Sequence, residues 1–342
     1  MNLAVDAYNL AADRRGMGRY VRQVFRGLQT IGKNDIRLVV RNKRTGESLT
    51  NQLPYPLIEA RDLHRDPADA VWYPWNGIRF EPHAPAIATI YDTFAFTFPN
   101  KSFFARRKEQ QPILRAVREA QAIVTISQWS ATELGKRLGV EPGRIAIAPP
   151  AIEPFWYPVP PERETPYVLF VAGPDERKNA QVLFDAFEAA FEEDAVELIV
   201  AGELNRSDEA AFARMHAKKS RLQPDDRELR SLYSGAIAVA VPSLAEGFGL
   251  PAIEAMACGA PVVASDAAAL PEACAGAAWL VDPRDPIAWR DALRRIYVDA
   301  ELRTQLRVAG LARAAALDPI APACVLVRLV HDLAQLRDKH SR

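Results

Sequence analysis

One stretch of this chain leaves little freedom in how its surroundings fold. Residues 236–241, Ala-Ile-Ala-Val-Ala-Val, form an unbroken apolar run of strand length, which reads as a buried parallel strand. Pro242-Ser243 ends that run, and Gly247 and Gly249 make a tight loop after it. Pro251 stands where a first helical residue belongs, and Gly259 closes a helix of about two turns. The order is therefore strand, glycine loop, helix N-terminus. The first N–H groups of a helix lack intrahelical partners and carry partial positive charge, so such an end gathers anions, and phosphate is the natural one. Glu246 and Glu254 bracket the loop. Two carboxylates beside a phosphate are costly unless they bind something else, and sugar hydroxyls are the obvious candidates. A first-turn preference worth roughly 0.3–1 kcal/mol accounts for Glu254 equally well. It does not account for Glu246, a charge directly after a buried strand.

The same alternation of strand and helix runs through the rest of the chain. Residues 1–6, 36–40, 70–73, 86–91 and 122–126 read as strands. After the Gly16-Met17-Gly18 turn, Tyr20, Val21, Val24, Phe25 and Leu28 fall at helical spacing. Seven prolines between Pro149 and Pro166 break the rhythm and read as a linker. Strands over 167–172, 196–201, 236–241 and 261–264, with a helix over 179–191, then restore it. The expected fold is α/β, with two Rossmann-like doubly wound parallel-sheet domains facing a central cleft at the carboxyl ends of their strands.

Gly173-Pro174-Asp175-Glu176-Arg177-Lys178-Asn179 follows the first strand of the second half and opens its first helix. Cations are disfavoured at that end of a helix dipole, so Arg177 and Lys178 point to an anionic ligand. Such cations stabilise negative charge that develops on a bound anion, and no Asp-x-Asp pair exists in the chain.

Pro242-Ser243, residues 246–254, residues 255–265 and Leu270-Pro271-Glu272 resemble the donor site of retaining glycosyltransferases of family 4, the two glutamates matching its Glu-x7-Glu motif. The resemblance extends end to end and is densest over residues 168–283. It implies the GT-B architecture. Residues 1–160 would be the acceptor-binding domain, with a C-terminal helix over 320–338 packed back on it, and residues 161–319 the donor-binding domain. The implied reaction is retaining, metal-independent transfer of a hexose of mannose or glucose type from a nucleotide-diphosphate sugar, GDP- or UDP-linked. The acceptor would be a glycan or lipid-linked saccharide of surface polysaccharide or glycoconjugate synthesis, and no cofactor is implied. Carried over residue by residue, Arg177 and Lys178 hold the leaving diphosphate and Glu246 faces the sugar ring, together the catalytic set. Glu254 accepts from the ribose, while Phe248, Gly249 and Leu250 offer backbone N–H groups to pyrophosphate and sugar. Gly173 lines the donor site, and Gly16 and Gly18 form a loop touching donor phosphate. Tyr91 and Asp92 lie on the acceptor side. Two positions depart from the family pattern. Pro174 replaces an arginine found in some relatives, and Tyr91 replaces a histidine. A phenol can still donate a hydrogen bond but cannot titrate near neutrality.

The rest of the chain restricts partners more than chemistry. The three cysteines, Cys258, Cys274 and Cys324, are odd in number and read as reduced. The five histidines show no metal-binding spacing. No apolar run reaches the roughly 18 residues of a membrane span, and no signal-like segment opens the chain, so a cytoplasmic protein is expected. Residues 1–155 carry 22 Lys and Arg against 15 Asp and Glu, while the remainder carries 21 against 28. A basic first half suits an anionic membrane surface or a phosphorylated acceptor. Residues 100–108, with Phe103, Phe104 and four cations, would suit peripheral contact at the inner membrane face. Nucleic acid is not an expected partner. Ser127 reads as a helix cap. Two rival functions share this architecture: a nucleotide-sugar epimerase, and a non-catalytic nucleotide-sugar-binding protein supported by Pro174 and Tyr91.

Overall fold

The structure is a computed structural model and describes residues 1–13, 16–32, 35–50, 53–192 and 194–340. The chain divides into two units, Met1–Pro150 with Asp318–Arg342, and Ala151–Leu317.

In the first unit, seven strands among the described residues pair in the order β3-β2-β1-β4-β5-β6-β7. They are β1 (Asn2–Asp6), β2 (Asp35–Val40), β3 (Leu57–Glu59), β4 (Ala70–Tyr73), β5 (Ala86–Thr89), β6 (Ala122–Thr125) and β7 (Ile145–Ile147). In the second unit the order is β10-β9-β8-β11-β12-β13. These are β8 (Tyr167–Val171), β9 (Glu197–Ala201), β10 (Lys219–Leu222), β11 (Ala238–Val241), β12 (Val262–Ser265) and β13 (Trp279–Val281). Every pairing is parallel. The winding reverses beside β1 in one sheet and beside β8 in the other. Loops leaving the carboxyl ends of β1 and β4, and of β8 and β11, diverge there and leave room for a ligand.

The central strands are buried along their whole length because helices cover them, which is why their sequences lack alternation. Phe184, Phe187, Phe191 and Trp289 close over Val168, Phe170, Leu198 and Val200 in the second unit. The first unit's core gathers Val39, Val71, Tyr73, Ala88, Ile113 and Ile123. The helix Ala321–His340 belongs to the first unit and packs on the helix Gly16–Ile31. Gln23 Nε2 donates to Pro319 O at 3.4 Å where this last helix begins.

The prolines of the linker do not act as a spacer. Trp156 is buried and meets the Tyr233 ring edge-to-face at 5.6 Å. The Arg230 guanidinium lies 4.4 Å from the ring centres of both Phe155 and Tyr157. Val159 N donates to Ser234 Oγ at 3.1 Å. The boundary therefore falls between Pro150 and Ala151 rather than after residue 160, because three aromatic rings draw the segment onto the second unit.

Candidate functional site

The loops leaving β8 and β11 are stapled together. Leu244 N donates to Arg177 O at 2.8 Å. Asn179, held in the left-handed region at φ 56°, donates from Nδ2 to Pro242 O at 3.0 Å and to Pro283 O at 2.7 Å. Asp175 caps the turn Glu176–Lys178 by accepting from Arg177 N at 3.1 Å, and its Oδ2 accepts from Arg177 Nε at 2.6 Å. These contacts fix Arg177 and Lys178 at the end of β8, facing the loop that carries Glu246.

Glu246 is 8% exposed and sits among donors. Lys178 Nζ donates to its Oε1 at 2.8 Å, and Ser243 Oγ donates to the same oxygen at 2.8 Å. Arg177 Nη1 lies 3.7 Å from Oε2 and donates to Ala245 O at 3.2 Å. Burial pushes the carboxyl's pKa up, but the Lys178 and Arg177 charges, with the Lys178 and Ser243 hydrogen bonds, outweigh it and leave it below the usual value. Glu246 is therefore a buried anion.

Gly249 shapes the helix that follows. Its φ of 104° is left-handed, and a Cβ there would meet Leu270 Cδ2 at 2.6 Å, so no other residue fits without movement. Its carbonyl accepts from Ala252 N and Ile253 N at 3.0 and 3.3 Å. The helix spans Leu250–Ala257, which makes Pro251 its second residue rather than its first. Its end is a Schellman motif: Ala260 N donates to Ala255 O at 2.9 Å and Gly259 N to Met256 O at 3.0 Å, with Gly259 at φ 78°. Glu254, 6% exposed, points from this helix to Tyr233, whose hydroxyl donates to Oε2 at 3.3 Å. Phe248 is buried and Leu250 half-buried. Burial, then the Glu254 charge, pushes the Cys258 thiol up to about 12, which removes it as a nucleophile.

Arg177, Lys178 and Glu246 thus converge in the second unit, with Gly173, Phe248, Gly249, Leu250 and Glu254 on the same two loops and the following helix. Gly16, Gly18, Tyr91 and Asp92 belong to the first unit. Gly16 is exposed at the first position of its helix. Gly18 is buried, and a side chain there would collide with Asp13 O, so the fold alone requires it. Tyr91 corrects an expectation. It lies beyond β5, is 6% exposed, and its hydroxyl donates to Pro74 O at 3.0 Å. Its one proton is committed inside the core, with the ring edge-on to Tyr20 at 5.5 Å, so it does not donate to a ligand. Asp92 Oδ1 accepts from Phe94 N at 2.9 Å, an Asx turn. Ser127 caps the helix Gln128–Leu138 by accepting from Ser130 N at 3.0 Å.

No role is read from the sequence for Asp175, Ser243 or Tyr233, although Ser243 lies in the stretch that resembles a donor site. Asp175 and Ser243 carried a readable signal, since each sits two or three residues from the side chain it binds. Tyr233 carried none, because its partner lies 21 residues away on another helix.

Residues 165–299 match the family described as "Glycosyl transferases group 1". The "O-antigen chain mannosyltransferase B" of Escherichia coli is 28% identical over 289 residues, which cover 75% of this chain and 75% of that protein. A "D-inositol 3-phosphate glycosyltransferase" of Xylanimonas cellulosilytica is 32% identical over 228 residues, 59% of this chain and 54% of that protein. The crystal structure of Anabaena Alr3699/HepE in complex with UDP and glucose superposes with a TM-score of 0.74 at 14% identity, covering 97% of this chain and 99% of that one. That likeness establishes the shared architecture.

Proposed function

We propose that this chain, a glycosyltransferase of the GT-B architecture whose residues 165–299 are a group 1 glycosyl transferase domain, moves a mannose-type hexose from a nucleotide-diphosphate sugar to a saccharide acceptor with retention and without metal. The acceptor is a glycan or lipid-linked saccharide of surface polysaccharide synthesis, in keeping with the name of the E. coli relative. The observation that carries the reading is the Lys178–Glu246–Arg177 cluster at the switch point between β8 and β11.

Arg177 and Lys178 take the charge of the departing diphosphate. An ammonium has three protons, so the bond to Glu246 leaves Lys178 able to reach a phosphate as well. Glu246 stays ionised and faces the sugar ring, where it accepts hydroxyl protons and balances the growing positive charge at the anomeric carbon. Glu254, oriented by Tyr233, accepts from the ribose. Backbone N–H groups of Phe248, Gly249 and Leu250 meet pyrophosphate and sugar, Gly173 lets the donor approach, and the exposed Gly16 contacts donor phosphate. Asp92 serves the acceptor. The leaving phosphate receives the acceptor hydroxyl's proton, so no separate general base is assigned. A GDP- or UDP-linked donor and a cytoplasmic location fit this reading. Among the described residues no helix is long and apolar enough to cross a membrane. Phe103 and Phe104 are 57% and 83% exposed beside Arg106, Arg107 and Lys108, which supports peripheral contact with an anionic membrane.

Calorimetry with UDP, GDP, ADP and TDP in the presence of chelator tests the reading. One of them should bind in the micromolar range, unchanged by metal. Binding by none, or binding that needs a divalent ion, overturns it. Product analysis with the matching sugar donor then separates transfer from epimerisation by whether the sugar becomes linked to an acceptor.

A further inference from the structure

The first unit has a switch point of its own, between β1 and β4, and a cavity of about 560 Å³ opens there. Tyr8 lines it from the loop after β1, Arg41 from the loop after β2, and Arg79 from the loop after β4. Lys108, Arg115 and Arg118 line it from the helix Phe103–Glu119. Five of these six are cations, and no carboxylate is among the cavity's lining residues.

Their present partners do not account for this concentration of charge. Arg115 is occupied, donating to Glu81 and Glu119 at 2.7 Å each. Arg41 lies 5.0 Å from the Tyr8 ring centre, a weaker contact than an ion pair. Arg79 donates to Trp75 O at 3.5 Å, and its charge, like that of Arg41, is offset in part by the one buried carboxyl of Asp6. Lys108 and Arg118 have no ion-pair partner among the described residues. Like charges held close together repel one another and focus the field on whatever anion approaches. Guanidinium forks match the paired oxygens of a phosphate, and several of them match a group carrying more than one negative charge.

We propose that this cavity holds a phosphate or diphosphate group borne by the acceptor, so that the acceptor is a sugar phosphate, free or lipid-linked. The proposal rests on the glycosyltransferase reading, in which the first unit receives the acceptor, and it narrows that acceptor to a phosphorylated class.

The test is calorimetry with inorganic pyrophosphate on full-length protein already saturated with its nucleoside diphosphate. One further equivalent of pyrophosphate should bind. The double variant Arg79→Gln, Arg118→Gln should weaken it at least about tenfold and leave nucleoside diphosphate affinity within about twofold. Both side chains are exposed, so the core is untouched, and Arg41→Gln provides an independent second variant. Competition identifies the source. Displacement by mannose 1-phosphate indicates a soluble sugar phosphate, and displacement by phosphatidylglycerol vesicles but not phosphatidylcholine vesicles indicates a lipid-borne one. Displacement by neither, absence of pyrophosphate binding, or binding that the variants leave intact overturns the proposal. Failure of every nucleoside diphosphate to bind would instead sink the donor reading, with the pyrophosphate result still deciding the cavity.

Discussion

Glu246 is held as an anion by two cations, and that makes its neutral isostere informative. Glu246→Gln keeps the shape and the Ser243 contact but removes the charge that balances Lys178 and Arg177. Turnover should fall by about 100-fold or more. Nucleoside diphosphate affinity should hold or rise, because both cations are released toward phosphate. Proportional loss of affinity and turnover would remove Glu246 from the sugar side of the site. Lys178→Ala is the harsher change, since it leaves the buried carboxylate with the Ser243 hydroxyl and with Arg177 at 3.7 Å, and should cost roughly 3–5 kcal/mol of stability. Asp6 runs the other way from Glu246. It is fully buried with Oδ2 unpartnered, and burial pushes its pKa from 3.8 up to about 7. Between those two values the folded chain keeps a proton that the unfolded chain has released, so stability declines as pH rises across that window. The loss is on the order of 4 kcal/mol at its limit. Asp6→Asn retains an oxygen for the Tyr8 N–H, now 3.0 Å away, and abolishes the titration. Denaturant melts at pH 5 and pH 8 should differ less for the variant than for the wild type, and equal pH dependence would refute the assignment.

At the scale of elements, the helix Leu250–Ala257 depends on one backbone conformation. Gly249→Ala forces a Cβ into left-handed space, costing about 1–2 kcal/mol, and against Leu270 Cδ2 at 2.6 Å. The loop must shift, so both melting temperature and nucleoside diphosphate affinity should drop. A variant with wild-type affinity would mean the loop's backbone does not touch the ligand. This strand-loop-helix unit was legible because each part announces itself locally: an apolar run, two glycines, a proline and a closing Gly259. The central strands were legible for the same reason. The edge strands were not. β3, β7 and β13 are three residues long and partly exposed, and β10 is Lys-Ser-Arg-Leu, with neither an apolar run nor strict alternation. Only pairing with a neighbour makes such segments strands. β5 ends at Thr89, short of Tyr91: Ile90 N still donates to Val124 O at 2.9 Å, but Tyr91 N turns to Asn76 Oδ1 at 2.8 Å. Among site residues, Arg177, Lys178 and Glu246 could be read from position along the chain. The commitment of Tyr91 to Pro74 O, and of Tyr233 to Glu254, could not, because each is decided by packing between distant segments.

At the scale of the whole molecule, the chain makes its first sheet, then the second unit, and then returns residues 318–342 to the first. The helix Ala321–His340 brings Ala323, Leu326 and Val330 to near-complete burial, at 0%, 2% and 1% exposure. Burying a large apolar side chain is worth about 1.5–3 kcal/mol, so Leu326 and Val330 alone contribute several kcal/mol. That is comparable to a typical domain's margin of about 5–15 kcal/mol. A chain ending at Leu317 should therefore lose protection where it is far removed in sequence from the cut. Hydrogen exchange should accelerate in the helix Gly16–Ile31, on which the last helix packs, and along β4, which it also contacts. The amides of β8 and β9, in the core closed by Phe184, Phe187 and Trp289, should exchange at the full-length rate. Uniform acceleration through both sheets would mean that the two units unfold as one. Unchanged exchange at Val21, Val24 and Leu28 would mean that the last helix adds nothing to the first unit's stability. The expected split, with loss confined to the first sheet and its first helix, follows from a unit whose core is completed by the final segment of the chain.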